Sequence, residues 1–316
     1  MNERMKVLVA YDGSTYADAA IEDLRRAGLP REAEALIVSV SDGLVNPSSS
    51  IAEIAGSART SRRVTSAIAL VREQAAQALA EAKEFAAQAG DRVRSDFPEW
   101  EVRAEGIAGT PSQELVQRAD EWKPELIVVG SQGRSALGRL FLGSVSKKLA
   151  TESSSSVRVV RRTAEKSDDE LPRIMIGVDG SPGAERAVRS VGRRVWPDGT
   201  EVRIVAVDDG ASPNRFAHVL PVAAAMIRSS NEEAAGTAQQ MAEWAAEELR
   251  AIGLQVSVAI EKGEPQSILI EEAQKWEADS IFVGSRGLDH PDEKSGLGGV
   301  STGLVTNATC TVEVVR

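Results

Sequence analysis

The sequence predicts an α/β protein built as two tandem doubly wound domains, each a five-stranded parallel sheet with helices on both faces. Three observations carry this. The chain is written twice, each copy alternates apolar strand-like runs with helical stretches, and glycines gather where strands end. Its 316 residues exceed one compact core of ordinary size and suit two.

The repeat shows in three pairs, in the same order in each copy. KVLVAYDGSTYADAAI (Lys6 to Ile21) matches RIMIGVDGSPGAERAV (Arg173 to Val188), setting Asp12, Gly13 and Ser14 against Asp179, Gly180 and Ser181. The stretch from Gly109 to Gly130 aligns without gaps to Gly263 to Gly284, with Gly109, Pro111, Leu115, Ala119, Trp122, Ile127, Val129 and Gly130 all recurring. SVRVVR (Ser156 to Arg161) closes the first copy and TVEVVR (Thr311 to Arg316) the second. Between them, TAEKSDDELP (Thr163 to Pro172) is polar, charged and ended by proline, as a linker should be. The expected domains are therefore 1–162 and 173–316, joined by 163–172.

Each element follows from local pattern. In the first copy, strands are expected at about Lys6–Ala10, Ala35–Val40, Glu101–Gly106, Glu125–Val129 and Ser156–Val160. The first and fourth are almost continuously apolar, the mark of strands buried on both faces of a parallel sheet. An alanine-rich stretch from about Val64 to Gly90 predicts a helix. Thr15 with Asp18 resembles a capping box, and Ser181-Pro182 supplies a cap followed by proline at a helix start. In the second copy, strands are expected near Arg173–Val178, Glu201–Val207, Leu254–Ile260, Ser280–Val283 and Val312–Val315. Ligands of such sheets sit outside the carboxyl ends of strands where the winding reverses. Asp12 and Gly130 stand at such ends, as do Asp179 and Gly284.

Composition excludes several function classes. The formal net charge of -10 disfavours nucleic acid or an anionic membrane as the main partner. Cys310 is the sole cysteine, so a disulfide framework is impossible and a multi-cysteine metal site within one chain is excluded. A small apolar role suits it better than a redox one. His218 and His290 are the only histidines, too few and too isolated for a zinc site or a Ser-His-Asp triad. The opening MNERMKVLVAYDGS lacks the apolar stretch of a signal peptide, and no run approaches the ~20 apolar residues that cross a bilayer. A soluble cytoplasmic protein is expected.

The chemistry concentrates in VVGSQGRSALGRLFLGSVS (Val128 to Ser146), which holds four glycines and four serines but no acid, histidine or cysteine. Gly130 leaves a buried strand, and Gly130-x-x-Gly133 lets main-chain amides approach a ligand. After nine intervening residues, Gly143-Ser144 opens a new helix, whose unpaired N–H groups and positive dipole end suit an anion. Ser131, Ser135, Ser144 and Ser146 add hydroxyls, and Arg134 and Arg139 add positive charge. Such a segment is built to hold phosphates, not to attack them. It lacks the lysine of a P-loop, and no G-x-G-x-x-G is present.

The spacing Gly130-x2-Gly133-x9-Gly143-Ser144, with Asp12 ending strand one and Gly109-x-Pro111 opening a helix, resembles the universal stress protein family, twice over nearly the whole chain. The resemblance implies strand order 3-2-1-4-5 and ATP bound at the carboxyl edge. By the same resemblance, Asp12 lies on the adenosine side, where Mg accompanying the nucleotide could meet it. The main chain near Val40 meets the adenine. Gly130 and Gly133 run along ribose and phosphates. Gly143 and Ser144 bind the phosphates, with Val145 and Ser146 next in the same helix start.

In the second copy Gly284 and Gly287 are kept, but Leu297 falls where the glycine is due, and aligning LGGVS with LGSVS needs one extra residue. Gly299 then replaces Ser144, while Ser301 remains. Asp289, Asp292 and Glu293 add repulsion against an ATP tail, only partly offset by Arg286 and Lys294. Nucleotide is therefore expected mainly in the first domain. The second domain is left as a structural partner, a weakened site or a site for another ligand.

The valine-rich last strands would be sticky edges unless covered. The two copies can cover each other, as like domains of the family do, and a homodimer of chains stays open. The segments Ser41 to Arg63 and Asp208 to Met226 follow strand two, beside the expected nucleotide, as surface loops or lids. His218 receives no role. The expected function is an ATP-binding cytoplasmic stress-response regulator. A slow ATPase or nucleotide-dependent enzyme on the same scaffold, and a scaffold that binds no nucleotide, are the alternatives.

Overall fold

A computed structural model describes residues 4–42, 62–134, 142–161, 170–208, 233–287 and 296–316. Its strands are β1 Met5–Ala10, β2 Ala33–Ser41, β3 Glu101–Ala108, β4 Leu126–Gly130, β5 Ser156–Val160, β6 Arg173–Val178, β7 Glu201–Asp208, β8 Gln255–Lys262, β9 Ser280–Gly284 and β10 Thr311–Val315. Its helices are α1 Thr15–Asp23, α2 Arg62–Asp96, α3 Pro111–Trp122, α4 Ser144–Glu152, α5 Pro182–Gly192, α6 Glu233–Arg250, α7 Pro265–Lys275 and α8 Gly299–Asn307. Most of the expected linker, both segments that follow strand two, and His218, His290, Ser135, Arg139, Asp289, Asp292, Glu293 and Lys294 lie outside the described residues.

All ten strands join one sheet in the order β3-β2-β1-β4-β5-β10-β9-β6-β7-β8. Each half therefore has the order 3-2-1-4-5, as the resemblance implied. Neighbours within a half run parallel, and β5 meets β10 antiparallel with Arg158 opposite Glu313. The terminal strands thus close the two edges against each other.

The apolar runs are continuous because both faces are covered. From β1 and β4, Leu8 and Ile127 face one side with Leu115, Ala119 and Leu149 from α3 and α4, while Val7, Val9, Leu126 and Val128 face the other with Ala20, Ile21 and Val93 from α1 and α2. On the α3 and α4 side the core continues without a break into the second half, through Val157, Val159, Val312, Val314 and Leu304. On the other side each half keeps its own core. The seam there is filled by charge instead, from Asp23, Arg158, Glu313 and Arg194.

Two local expectations shift. The cap of α1 is Ser14, not Thr15: its Oγ accepts from the Ala17 N–H at 3.1 Å. Asp12 Oδ1 accepts from the Ser14 N–H at 3.0 Å, and Gly13 takes φ +74°, so the Asp-Gly-Ser turn has already claimed Ser14 as the last non-helical residue. Ser181 caps α5 in the same way, with Pro182 as its first residue. Helix α2 runs past Gly90 to Asp96, because Val93, fully buried, extends its apolar face over the sheet.

Candidate functional site

Strand order assembles the site. At the carboxyl edge β2, β1 and β4 lie side by side, bringing Val40, Asp12 and the Gly130 loop together from distant parts of the chain. The winding reverses between β1 and β4, where such sheets hold ligands.

Asp12 ties two strand ends together. Its Oδ1 accepts from Ser14 N–H and its Oδ2 from Arg134 N–H at 3.2 Å. The Arg134 guanidinium donates back to the Asp12 carbonyl, stacks 4.2 Å from the Phe85 ring centre, and reaches Glu81 at 3.5 Å. Phe85 and Glu81 come from α2, far away in sequence, and no spacing signal could have found them. A Cβ on Gly133 would lie 2.7 Å from Asp12 Oδ2, so Gly133 is demanded by Asp12 itself. A Cβ on Gly130 would lie 2.6 Å from the Tyr16 carbonyl, so that glycine is demanded by α1 crossing the end of β4.

Gly143 differs from both. Its φ of -65° and ψ of 152° suit any residue, and among the described residues a Cβ there would meet no atom closer than 3.4 Å. Neither the backbone nor packing among the described residues requires glycine here. It stands at the cap of α4, where no side chain caps the helix. The first N–H groups of α4, from Ser144, Val145 and Ser146, therefore keep their donor capacity. The Gly143 N–H donates to the Ser131 carbonyl at 2.8 Å, pinning the loop back on itself.

The serines divide. Ser146 is buried and its Oγ donates to the Gly130 carbonyl at 2.6 Å, so its hydroxyl is spent on holding α4 to β4 and only its main-chain N–H is left for a ligand. Ser131 is fully buried, and its Oγ has no hydrogen-bond partner among the described residues. Buried hydroxyls rarely stay unpaired in a finished structure. A donor-rich helix start, a glycine the fold does not need and an orphan hydroxyl together fit a phosphate-bearing ligand. Both Asp12 oxygens already accept a main-chain N–H, which orients the carboxylate and leaves lone pairs for a ribose hydroxyl or a nucleotide-borne Mg.

The second half repeats the frame. Asp179 Oδ1 accepts from Ser181 N–H at 2.9 Å, Gly298 N–H donates to the Ser285 carbonyl at 2.9 Å, and Ser301 Oγ donates to the Gly284 carbonyl at 2.7 Å. These bonds confirm the alignment with one extra residue: Gly298 stands for Gly143, and Gly299 for Ser144. Arg286 stands at the place of Gln132 and donates to the Gly296 carbonyl at 3.3 Å, while the place of Arg134 is taken in the sequence by Leu288. Met241 occupies the place of Phe85 against the turn glycine.

Elsewhere, a cleft of about 1230 Å³ opens at the amino ends of β1, β4 and β5, lined by Arg4, Lys123, Ser155, Arg186 and Arg193 among others. It contains none of the glycine-loop residues. Burial pushes the Cys310 thiol up to about 12, which fits the expected apolar role. Among the described residues no helix is long and apolar enough to cross a membrane.

Both halves match the family model described as the universal stress protein family, over residues 3–161 and 170–316. A universal stress protein of Mycolicibacterium smegmatis is 26% identical over 312 residues, covering 98% of this chain and 96% of that protein. Universal stress protein YxiE of Bacillus subtilis is 33% identical over 158 residues, covering 49% of this chain and 98% of its own length. Among solved structures, a universal stress protein from Archaeoglobus fulgidus shares the fold at a TM-score of 0.60 and 20% identity, with 98% of each chain covered.

Proposed function

Because the chain belongs to the universal stress protein family in both of its halves, we propose that it is an adenine-nucleotide-binding regulator that holds ATP mainly in its first half. The observation that carries this reading is Gly143, a glycine that neither its backbone angles nor its neighbours among the described residues require. Space kept open at a helix start is space for an anion.

In this reading the main-chain N–H groups of Ser144, Val145 and Ser146 receive the phosphates, and the Ser144 hydroxyl adds a donor. Gly130 and Gly133 leave the loop backbone bare beside the ribose and phosphates. Asp12 takes the ribose side, and the main chain at Val40 meets the adenine. Bound Mg would neutralise phosphate charge in reach of Asp12. The acidic loop and the missing hydroxyl at Gly299 weaken the second cradle. The protein then acts as a cytoplasmic stress-response regulator whose occupancy by ATP sets its shape or its partners.

Equilibrium dialysis with ATP at known protein concentration tests this. One strong site per chain is expected. Two equal sites would remove the asymmetry, and no binding at saturating nucleotide would end the reading.

A further inference from the structure

The terminal strands SVRVVR and TVEVVR are near-copies that differ in charge only at their centre, where Arg158 corresponds to Glu313. In the antiparallel pairing these two residues are direct partners, flanked by Val157 with Val314 and Val159 with Val312. A residue at the centre of such a pairing faces its own counterpart. Two copies of the first half joined in this register would set Arg158 against Arg158, and two copies of the second would set Glu313 against Glu313.

The surroundings raise the stakes. Arg158 Nη1 lies 3.1 Å from Glu313 Oε2, with the two side chains 1% and 0% exposed. Arg158 also grips Asp23, with Nη2 at 3.2 Å from Oδ1, and Arg194 binds the other oxygen of Glu313. The row reads Asp23, Arg158, Glu313, Arg194, alternating in sign. Each half contributes one acid and one base. Counting from the matched Asp12 and Asp179, Asp23 corresponds to Ser190 and Arg194 to Ala27, so neither flanking charge is duplicated. Like halves would give two adjacent positives or two adjacent negatives at the centre, away from water, where like charges repel strongly.

The apolar strand pairs of the seam carry little discrimination. Its strands bring the same valines from both copies, Val157 and Val159 against Val312 and Val314, with no sign to tell one edge from the other. Buried ion pairs add little stability over apolar residues of similar volume, and their best-attested use is to fix register and partner. We propose that this four-charge row is a pairing code: it fits each half's terminal edge to the other half of the chain and rejects a second copy of itself. The proposal stands apart from nucleotide binding.

The test uses the whole protein cut once, at a protease site placed between residues 163 and 169. After unfolding and refolding of the cut chain, native mass spectrometry counts the pairings. Native sequence should give first-half with second-half pairs alone. Asp23→Leu, Arg158→Met, Arg194→Met and Glu313→Leu together, which strip the row of its charge, should scramble toward roughly 1:2:1 proportions. Scrambling by the native chain, or unlike pairs alone from the variant, overturns the code. If the cut chain does not refold, thermal melting of the uncut chain decides. Glu313→Arg should lower Tm by roughly 10 °C. The fourfold exchange Asp23→Arg, Arg158→Glu, Arg194→Glu and Glu313→Arg, which restores alternation, should recover most of it. No loss in the first variant, or no recovery in the second, overturns the proposal.

Discussion

The two halves present the same cradle with different residues at the same places, and the pattern of change is informative. What is shared is what the fold needs. Gly130 and Gly284 each admit a helix across a strand end, Gly133 and Gly287 each make room for an aspartate, and Ser146 and Ser301 each tie a helix to a strand. What differs lies where only a ligand would register it. Ser144 becomes Gly299, Gln132 becomes Arg286, which donates to its own loop, and the sequence of the second loop gains acids. The halves therefore separate the scaffold of the site from its chemistry. The glycines that look most like ligand contacts belong largely to the scaffold.

The largest effect should come from filling the space that separates the two classes. Gly143→Trp is expected to weaken ATP binding by more than ~100-fold while leaving Tm nearly unchanged, because among the described residues a Cβ there meets no atom closer than 3.4 Å. Gly298→Trp, placed identically in the second half, should leave the strong site intact. Isothermal titration of both variants checks this, and equal losses would place the strong site elsewhere.

Next comes the aspartate pair. Asp12→Ala removes the acceptor for Ser14 N–H and Arg134 N–H and should destabilise the chain by about 1–2 kcal/mol. It should also raise the Kd for ATP roughly tenfold. Asp179→Ala should lower stability without changing the affinity. Chemical denaturation run beside binding separates the two, and a change in affinity from Asp179→Ala would break the comparison.

Much of this frame was legible in the sequence, because repeats and apolar runs are local signals. The strands fall within a few residues of their expected places, and the strand order follows from the resemblance. Where reading failed, the deciding partner was distant. Thr15 looked like a cap because the Asp12 turn that claims Ser14 is visible only in three dimensions. For Gly130 and Gly133 the sequence offered only a ligand-side reason for glycine, because nothing in their spacing names Tyr16 or Asp12 as their neighbours. The valines announced that the terminal edges pair, yet the charged seam needed Asp23 and Arg194, which stand far from those strands. One sign was present all the same: Arg158 and Glu313 interrupt an otherwise faithful repeat with opposite charges.

A smaller effect would sharpen the contrast from the other side. Gly299→Ser returns to the second cradle the hydroxyl that Ser144 offers the first, and among the described residues nothing lies within 4 Å of a Cβ there. A gain of about 1 kcal/mol, or roughly fivefold in affinity at the weak site, is expected. Titration in the Gly143→Trp background, where the strong site is silent, would detect it. No gain would assign the asymmetry to the acidic loop rather than to the lost donor.

The effect that bears least on the site concerns a group that only the first half owns. Tyr11 precedes Asp12, and its counterpart is Val178. Its hydroxyl donates to Asp18 Oδ1 at 2.8 Å. Burial, and then that bond to a carboxylate, push its pKa from the ordinary 10.0 up to about 12. The sign follows from linkage. Below pH 10 the phenol is neutral in both folded and unfolded chains, and the stabilisation is fully present. Between 10 and 12 the unfolded chain releases the proton while the folded chain still holds it, so stability falls as pH rises. After allowance for solvent screening the loss is about 1–2 kcal/mol. Tyr11→Phe should forgo the Asp18 bond at neutral pH, costing about 1 kcal/mol, and should remove this part of the alkaline slope. Cys310, held up to about 12 in the second half, contributes its own slope to both proteins and cancels in the difference. Denaturation midpoints of the two proteins across that window should therefore converge as the pH climbs, and parallel curves would show that Tyr11 ionises as freely in the folded chain as in the unfolded one.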